Sequence, residues 1–166
     1  MAKEGDVAPD FTLEGTVHGE IGSFTLSETV ADRPAVLSFY IYDYSPVCTE
    51  QMCEINEMEF LTFTDEAAVF GILTDGPYSH REFAKDNDLS YLLLTDEDRT
   101  VYEQYGMTET EENGKQKLKR GIIVVDSDRT VRYRWVAKDN WDAWEIKPFN
   151  EANNFVREVV NDQNAV

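Results

Sequence analysis

The chain has 166 residues, 42% hydrophobic and 12% aromatic, enough for one buried core and short for two ordinary domains, so residues 1–166 are expected to form a single domain. Its 33 Asp plus Glu against 15 Lys plus Arg give a formal net charge of -18, which repels nucleic-acid phosphates and anionic lipid surfaces. No run of about 18 apolar residues is present to span a bilayer, and the N-terminus MAKEGDVAPD is charged where a secretory signal is apolar, so the expectation is a cytoplasmic protein without nucleic-acid or membrane partners.

The acidic residues are spread along the whole chain beside abundant aromatic and β-branched residues, which speaks for a solvated acidic surface and against disorder. We read this surface as halophilic adaptation, because at molar salt screening over about 3 Å removes the self-repulsion that such a charge causes.

Ala8-Pro9-Asp10-Phe11-Thr12-Leu13 opens a stretch punctuated by Gly15, Gly19 and Gly22 up to Phe24-Thr25-Leu26, which predicts a hairpin or irregular β entry. The run Ala35 to Tyr42 after Pro34 is continuously apolar and rich in β-formers, as in a strand buried on both faces. Ser45 can then cap a helix whose first residue is Pro46, and Met52, Ile55, Met58 and Leu61 recur at spacings that keep them on one side of it.

Val69 to Leu73 predicts a second buried strand, the turn Asp75-Gly76-Pro77 follows, and Tyr78 to Asn87 reads as a helix on which His80 is expected to face solvent. Leu92 to Leu94 predicts a third strand, Glu97 to Tyr105 a helix capped by Asp96, and Gly106 its stop. Glu109 to Lys119 reads as a polar loop, Ile122 to Val125 and Val131 to Trp135 as an antiparallel hairpin, and about Asn150 to Asn161 as a last helix. This order predicts an α/β fold with a mixed central sheet and helices on both faces. Trp135 is expected in the core, whereas Trp141 and Trp144 lie in a more polar stretch and have no assigned role.

Two cysteines are too few for a secreted disulfide framework, so any thiol chemistry rests on Cys48 and Cys53. If Pro46 opens the helix, Cys48 is its third residue, where free amides carry partial positive charge and favour thiolate. Taken alone, that pattern fits a nucleophile and a small buried hydrophobe equally well. Cys53, five residues on, would sit about 8.6 Å from Cys48 between Cα atoms on a regular helix, beyond the usual disulfide limit of about 7 Å, so bonding requires the first turns to unwind. The spacing does not fit a thioredoxin-type pair, and no second cysteine or histidine pair completes a zinc site; neither metal nor cofactor is expected.

The motifs Ala8-Pro9-Asp10-Phe11-Thr12-Leu13 and Ser45-Pro46-Val47-Cys48-Thr49 resemble those of the peroxiredoxins, within them the subgroup called bacterioferritin co-migratory protein or PrxQ, over nearly the whole chain. The resemblance implies a thioredoxin-like fold with an N-terminal β extension. It also implies thiol peroxidase activity on hydrogen peroxide and organic hydroperoxides, with Cys48 peroxidatic, Cys53 resolving by an intramolecular disulfide, and Ser45 in the active-site loop. Arg120, before Gly121-Ile122-Ile123-Val124-Val125-Asp126, resembles the family's strand-borne arginine that holds the thiolate and the peroxide; on local sequence alone the surface arginine is the favoured reading. The implied partners are a peroxide substrate and a thioredoxin- or glutaredoxin-like reductant, with the chain a monomer or weak homodimer. Two positions depart from the pattern: Ile41 stands where the family usually has proline, and Gln51 where it often has glutamate. A thiol-disulfide oxidoreductase or redox sensor using the same cysteines, and a redox-inactive binding module, are the competing readings.

Overall fold

A computed structural model describes residues 3–17, 20–31, 33–39, 68–87 and 92–137, together with residues 151, 152, 154–156 and 158. The central strands are the uninterrupted apolar runs. β3 (Ala35–Phe39) and β4 (Ala68–Leu73) are buried at every position and pair in parallel, Ala35 with Ala68 through Phe39 with Ile72. Such strands have no solvent face to mark with polar residues, so both of their sides must be covered.

β5 (Leu92–Thr95) adds in parallel on the far side of β4. β1 (Thr12–Val17) runs antiparallel to β5 and turns back as β2 (Glu20–Thr25), the β entry anticipated from the glycine-punctuated segment. Gly15 is required where β1 crosses β5: a Cβ there would lie 2.6 Å from the Leu93 carbonyl oxygen. On the other side β8 (Gly121–Val125) pairs antiparallel with β3, and β9 (Val131–Val136) closes the hairpin. The seven-stranded order is β2-β1-β5-β4-β3-β8-β9, the mixed central sheet expected from the sequence.

Both faces carry helix. One core layer joins Leu37 and Phe39, Phe70 and Ile72, Leu94, Ile123 and Val125 to Leu26 of α1 (Leu26–Thr29) and to Val101 and Tyr102 of α3 (Thr100–Gln104). The opposite face receives α2 (Pro77–Asp86), which packs on β1 and β5, and the helical residues between 151 and 158, where Phe155 stacks on Tyr133 of β9 at 5.1 Å.

The structure corrects four expectations. His80 does not face solvent: it is fully buried beside Phe83, because that side of α2 lies against β1 and β5. The helix expected from Glu97 begins at Thr100. Arg99 adopts φ 65, which breaks the helical path, and Asp98 and Asp96 accept the Thr100 and Tyr102 amides at 3.1 and 2.8 Å. The segment expected as a polar loop contains a second hairpin, β6 (Thr108–Thr110) with β7 (Gln116–Leu118), turned at Asn113-Gly114 with Gly114 at φ 82. Trp135 is only half-buried, as its place on the edge strand β9 allows. The expected helix from Pro46, with its row Met52, Ile55, Met58 and Leu61, lies outside the described residues, as do Trp141 and Trp144.

Candidate active site

In open sheets of this kind ligands bind beyond the C-terminal ends of parallel strands, and β3, β4 and β5 point the same way. β3 ends at Phe39, and from there the chain enters the segment carrying Ser45, Cys48 and Cys53. Those three residues, together with Ile41 and Gln51, lie outside the described residues, so of the four candidate site residues the structure describes Arg120.

Arg120 is 2% exposed, which removes the surface-arginine reading. Its position follows from register: β8 is antiparallel to β3 with Gly121 opposite Phe39, so Arg120, one residue earlier, stands level with the end of β3 from which the cysteine segment departs. Backbone bonds on either side fix it there. The Lys119 amide donates to the Met107 carbonyl at 2.8 Å, and the Arg120 carbonyl accepts from Ala137 N–H at 2.8 Å. A cation removed from water to this degree is costly unless charge or hydrogen bonding compensates it, so its burial is a strong constraint on what surrounds it.

The end of β3 is also braced from below. Phe39 meets Tyr102 edge-on at 5.2 Å and Tyr105 at 5.6 Å. The Tyr102 hydroxyl donates to the Ile72 carbonyl at 2.6 Å and the Tyr105 hydroxyl to the Pro9 carbonyl at 2.6 Å. Burial pushes the Tyr105 phenol well above its usual range, with the Asp10 charge adding to it, so it remains a donor at any physiological pH. These two tyrosines were not among the residues singled out from sequence. Their spacing of three on α3 and its end, with Phe39 at the close of an apolar strand, is the signal that could have found them.

Charge around Arg120 is partly balanced locally. Lys119, itself nearly buried, lies 3.4 Å from Glu109, and Lys117 lies 3.3 Å from the same carboxylate. The Lys117 hydrogen bond, with both lysine charges, holds Glu109 below the ordinary carboxylate range. At the end of β5, Asp96 is fully buried, and burial raises its carboxyl above the ordinary range although the Tyr102 and Val101 amides oppose the shift. Its work there is capping α3. No helix among the described residues is long and apolar enough to cross a membrane.

Comparison with known proteins agrees with this architecture. Residues 5–134 match the AhpC/TSA family. A Coxiella burnetii protein provisionally named peroxiredoxin bcp is 31% identical over 134 residues, covering 79% of this chain and 86% of its own. Peroxiredoxin Bcp of Bacillus subtilis is 28% identical over 134 residues, covering 79% and 83%. The crystal structure of peroxidoxin BcpB from Mycobacterium tuberculosis superposes with a TM-score of 0.80 at 28% identity, over 96% of this chain and 99% of that one. The chain thus belongs to the AhpC/TSA family and is similar to its Bcp- and PrxQ-type peroxiredoxins.

Proposed function

We propose that this thiol peroxidase works through Cys48 and Cys53. The Cys48 thiolate attacks the terminal oxygen of hydrogen peroxide or an organic hydroperoxide. An S–O bond forms as the O–O bond breaks, and hydroxide or alkoxide leaves and takes up a proton. Cysteine is thereby oxidised to sulfenic acid. The Cys53 thiol then attacks that sulfur, water departs, and a disulfide closes; an external dithiol, carried by a thioredoxin- or glutaredoxin-like protein, reduces it. Ser45 caps the helix or hydrogen-bonds the peroxide, and Arg120 favours thiolate and stabilises charge moving onto the leaving oxygen.

The observation that carries this reading is the buried Arg120 held level with the C-terminal end of β3, the strand that leads into the cysteine segment. Family membership supports the chemistry, and a buried arginine level with the end of β3 is consistent with it. A reducing cytoplasm is the compartment that keeps such a pair cycling, and the acidic surface fits a cytoplasm of high salt.

Stopped-flow tryptophan fluorescence of the reduced protein mixed with hydrogen peroxide in molar KCl tests the scheme. Wild type should oxidise rapidly, Cys48→Ser not at all, and Cys53→Ser should stop at sulfenic acid. A wild type that stays reduced under excess peroxide rejects the peroxidase cycle in favour of a redox-inactive module. Slow reaction with peroxide but rapid exchange with protein disulfides would make it an oxidoreductase.

A further inference from the structure

Gly121, the residue after Arg120, has its side-chain space already filled. A Cβ built there would lie 2.6 Å from Met107 Sδ, 2.7 Å from Met107 Cε and 2.7 Å from the Trp135 carbonyl oxygen. Met107 is fully buried, and its carbonyl takes the amide of Lys119, the residue before Arg120. A single residue therefore grips the chain on both sides of the arginine, by a hydrogen bond at Lys119 and by the thioether against the bare Cα of Gly121.

Met107 is itself anchored. Its amide donates to the Tyr102 carbonyl at 2.8 Å, and the Arg134 guanidinium reaches the carbonyls of Tyr105 at 2.5 Å and Gly106 at 3.3 Å. The end of α3 is thereby tied to β9, and Met107 follows directly from it. We propose that Met107 is a positioning residue for Arg120: its thioether, seated against Gly121, sets the height of the arginine backbone at the end of β3 and so where the guanidinium meets the peroxide site. This rests on reading Arg120 as a group of that site. A methionine suits the task because its unbranched chain fills a narrow slot beside a glycine while its carbonyl remains free to hold the neighbouring strand.

The test compares the second-order rate of Cys48 oxidation by hydrogen peroxide in Met107→Ala, Met107→Leu, Arg120→Gln and the double variant Met107→Ala/Arg120→Gln, all as full chains in molar KCl. Misplacing an active-site group by about 1 Å costs on the order of 100-fold, so Met107→Ala should slow oxidation by about 10- to 100-fold. Met107→Leu, which conserves volume, should stay within about threefold of wild type. Because Met107 acts through Arg120, its truncation should add nothing on the Arg120→Gln background, and the pH midpoint of Cys48 alkylation should rise in Met107→Ala as in Arg120→Gln.

Wild-type oxidation by Met107→Ala beside a slow Arg120→Gln overturns the positioning role alone. Wild-type oxidation by Arg120→Gln overturns the underlying reading of the arginine. Rate losses that multiply in the double variant make Met107 merely structural. If Met107→Ala does not fold, Met107→Val carries the same comparison with a smaller void.

Discussion

Tyr102 offers a measure of how firmly the end of β3 is held. It is fully buried, its hydroxyl donates to the Ile72 carbonyl at 2.6 Å, and its ring meets Phe39 edge-on at 5.2 Å. Tyr102→Phe deletes the hydroxyl and keeps the ring. A buried neutral hydrogen bond contributes about 1–2 kcal/mol once the loss to a partly unsatisfied acceptor is included. For a domain of this length each kcal/mol moves Tm by about 2–4 °C, so the expected fall is about 2–8 °C. Thermal unfolding followed by circular dichroism at one fixed KCl concentration reads it directly. Tyr102→Leu also loses the edge contact with Phe39, a further 0.5–1.5 kcal/mol or so beyond area burial, and should fall further. Because Phe39 leads into the cysteine segment, Tyr102→Leu should also slow peroxide consumption more than Tyr102→Phe does. Equal melting of wild type and Tyr102→Phe would refute the hydrogen bond as a stabilising contact.

Three other outcomes are expected. Gly15→Ala drives a Cβ to within 2.6 Å of the Leu93 carbonyl oxygen, backbone that cannot swing aside, and should cost about 1–3 kcal/mol in denaturant unfolding, where an unchanged midpoint would contradict the close approach of β1 and β5. Burial tends to raise the Asp10 carboxyl, but hydrogen bonds from Ser27 and Phe11 and the charge of Arg129 outweigh it, so its pKa is lowered. A depressed carboxyl contributes stability that is fully present above about pH 4 and is lost as pH falls through the lower folded value, so wild type and Asp10→Asn should differ in Tm at neutral pH and converge in acid; a gap that widens on acidification would contradict this. With a net charge of -18, Tm should rise steeply between dilute buffer and molar KCl, and a protein equally stable in both would refute the reading of its surface as salt-adapted.

The parts of the fold legible in the sequence were those with their signal in composition. β3 and β4 show as unbroken apolar runs, and β8 with β9 as two strands around Asp126-Ser127-Asp128-Arg129. β6 and β7 were not legible, since Thr108–Thr110 and Gln116–Leu118 are three residues each with no apolar alternation. Their pairing is fixed instead by the Asn113-Gly114 turn, where the Gly114 amide closes on the Glu111 carbonyl at 2.9 Å. His80 was misread for the same kind of reason: its neighbours Arg81 and Glu82 are polar, but burial on a helix depends on the residue three positions on, and that is Phe83. For the candidate site, Cys48, Cys53 and Arg120 were all singled out by resemblance to family motifs, but nothing in the composition of Lys117-Leu118-Lys119-Arg120 announces that the arginine is buried. Its place follows from antiparallel register against β3, with Met107 holding the neighbouring Lys119 backbone, both brought from elsewhere in the chain.

That placement bears on a difficulty the composition creates. A chain with 33 acidic against 15 basic residues surrounds a cysteine with negative potential, which opposes formation of a thiolate. Yet Lys115, Lys117, Lys119 and Arg120 are gathered into a single short stretch, whose last residue, Arg120, stands level with the end of β3. Glu109 offsets part of this charge by pairing with Lys117 and Lys119. Salt divides the two fields unequally: molar KCl screens the dispersed surface carboxylates within about 3 Å, while a guanidinium that is 2% exposed is reached far less by mobile ions. If Cys48 sits near Arg120 as proposed, the balance at high ionic strength shifts toward the buried cation, so the conditions that relieve the acidic surface would also favour the thiolate that the proposed chemistry requires.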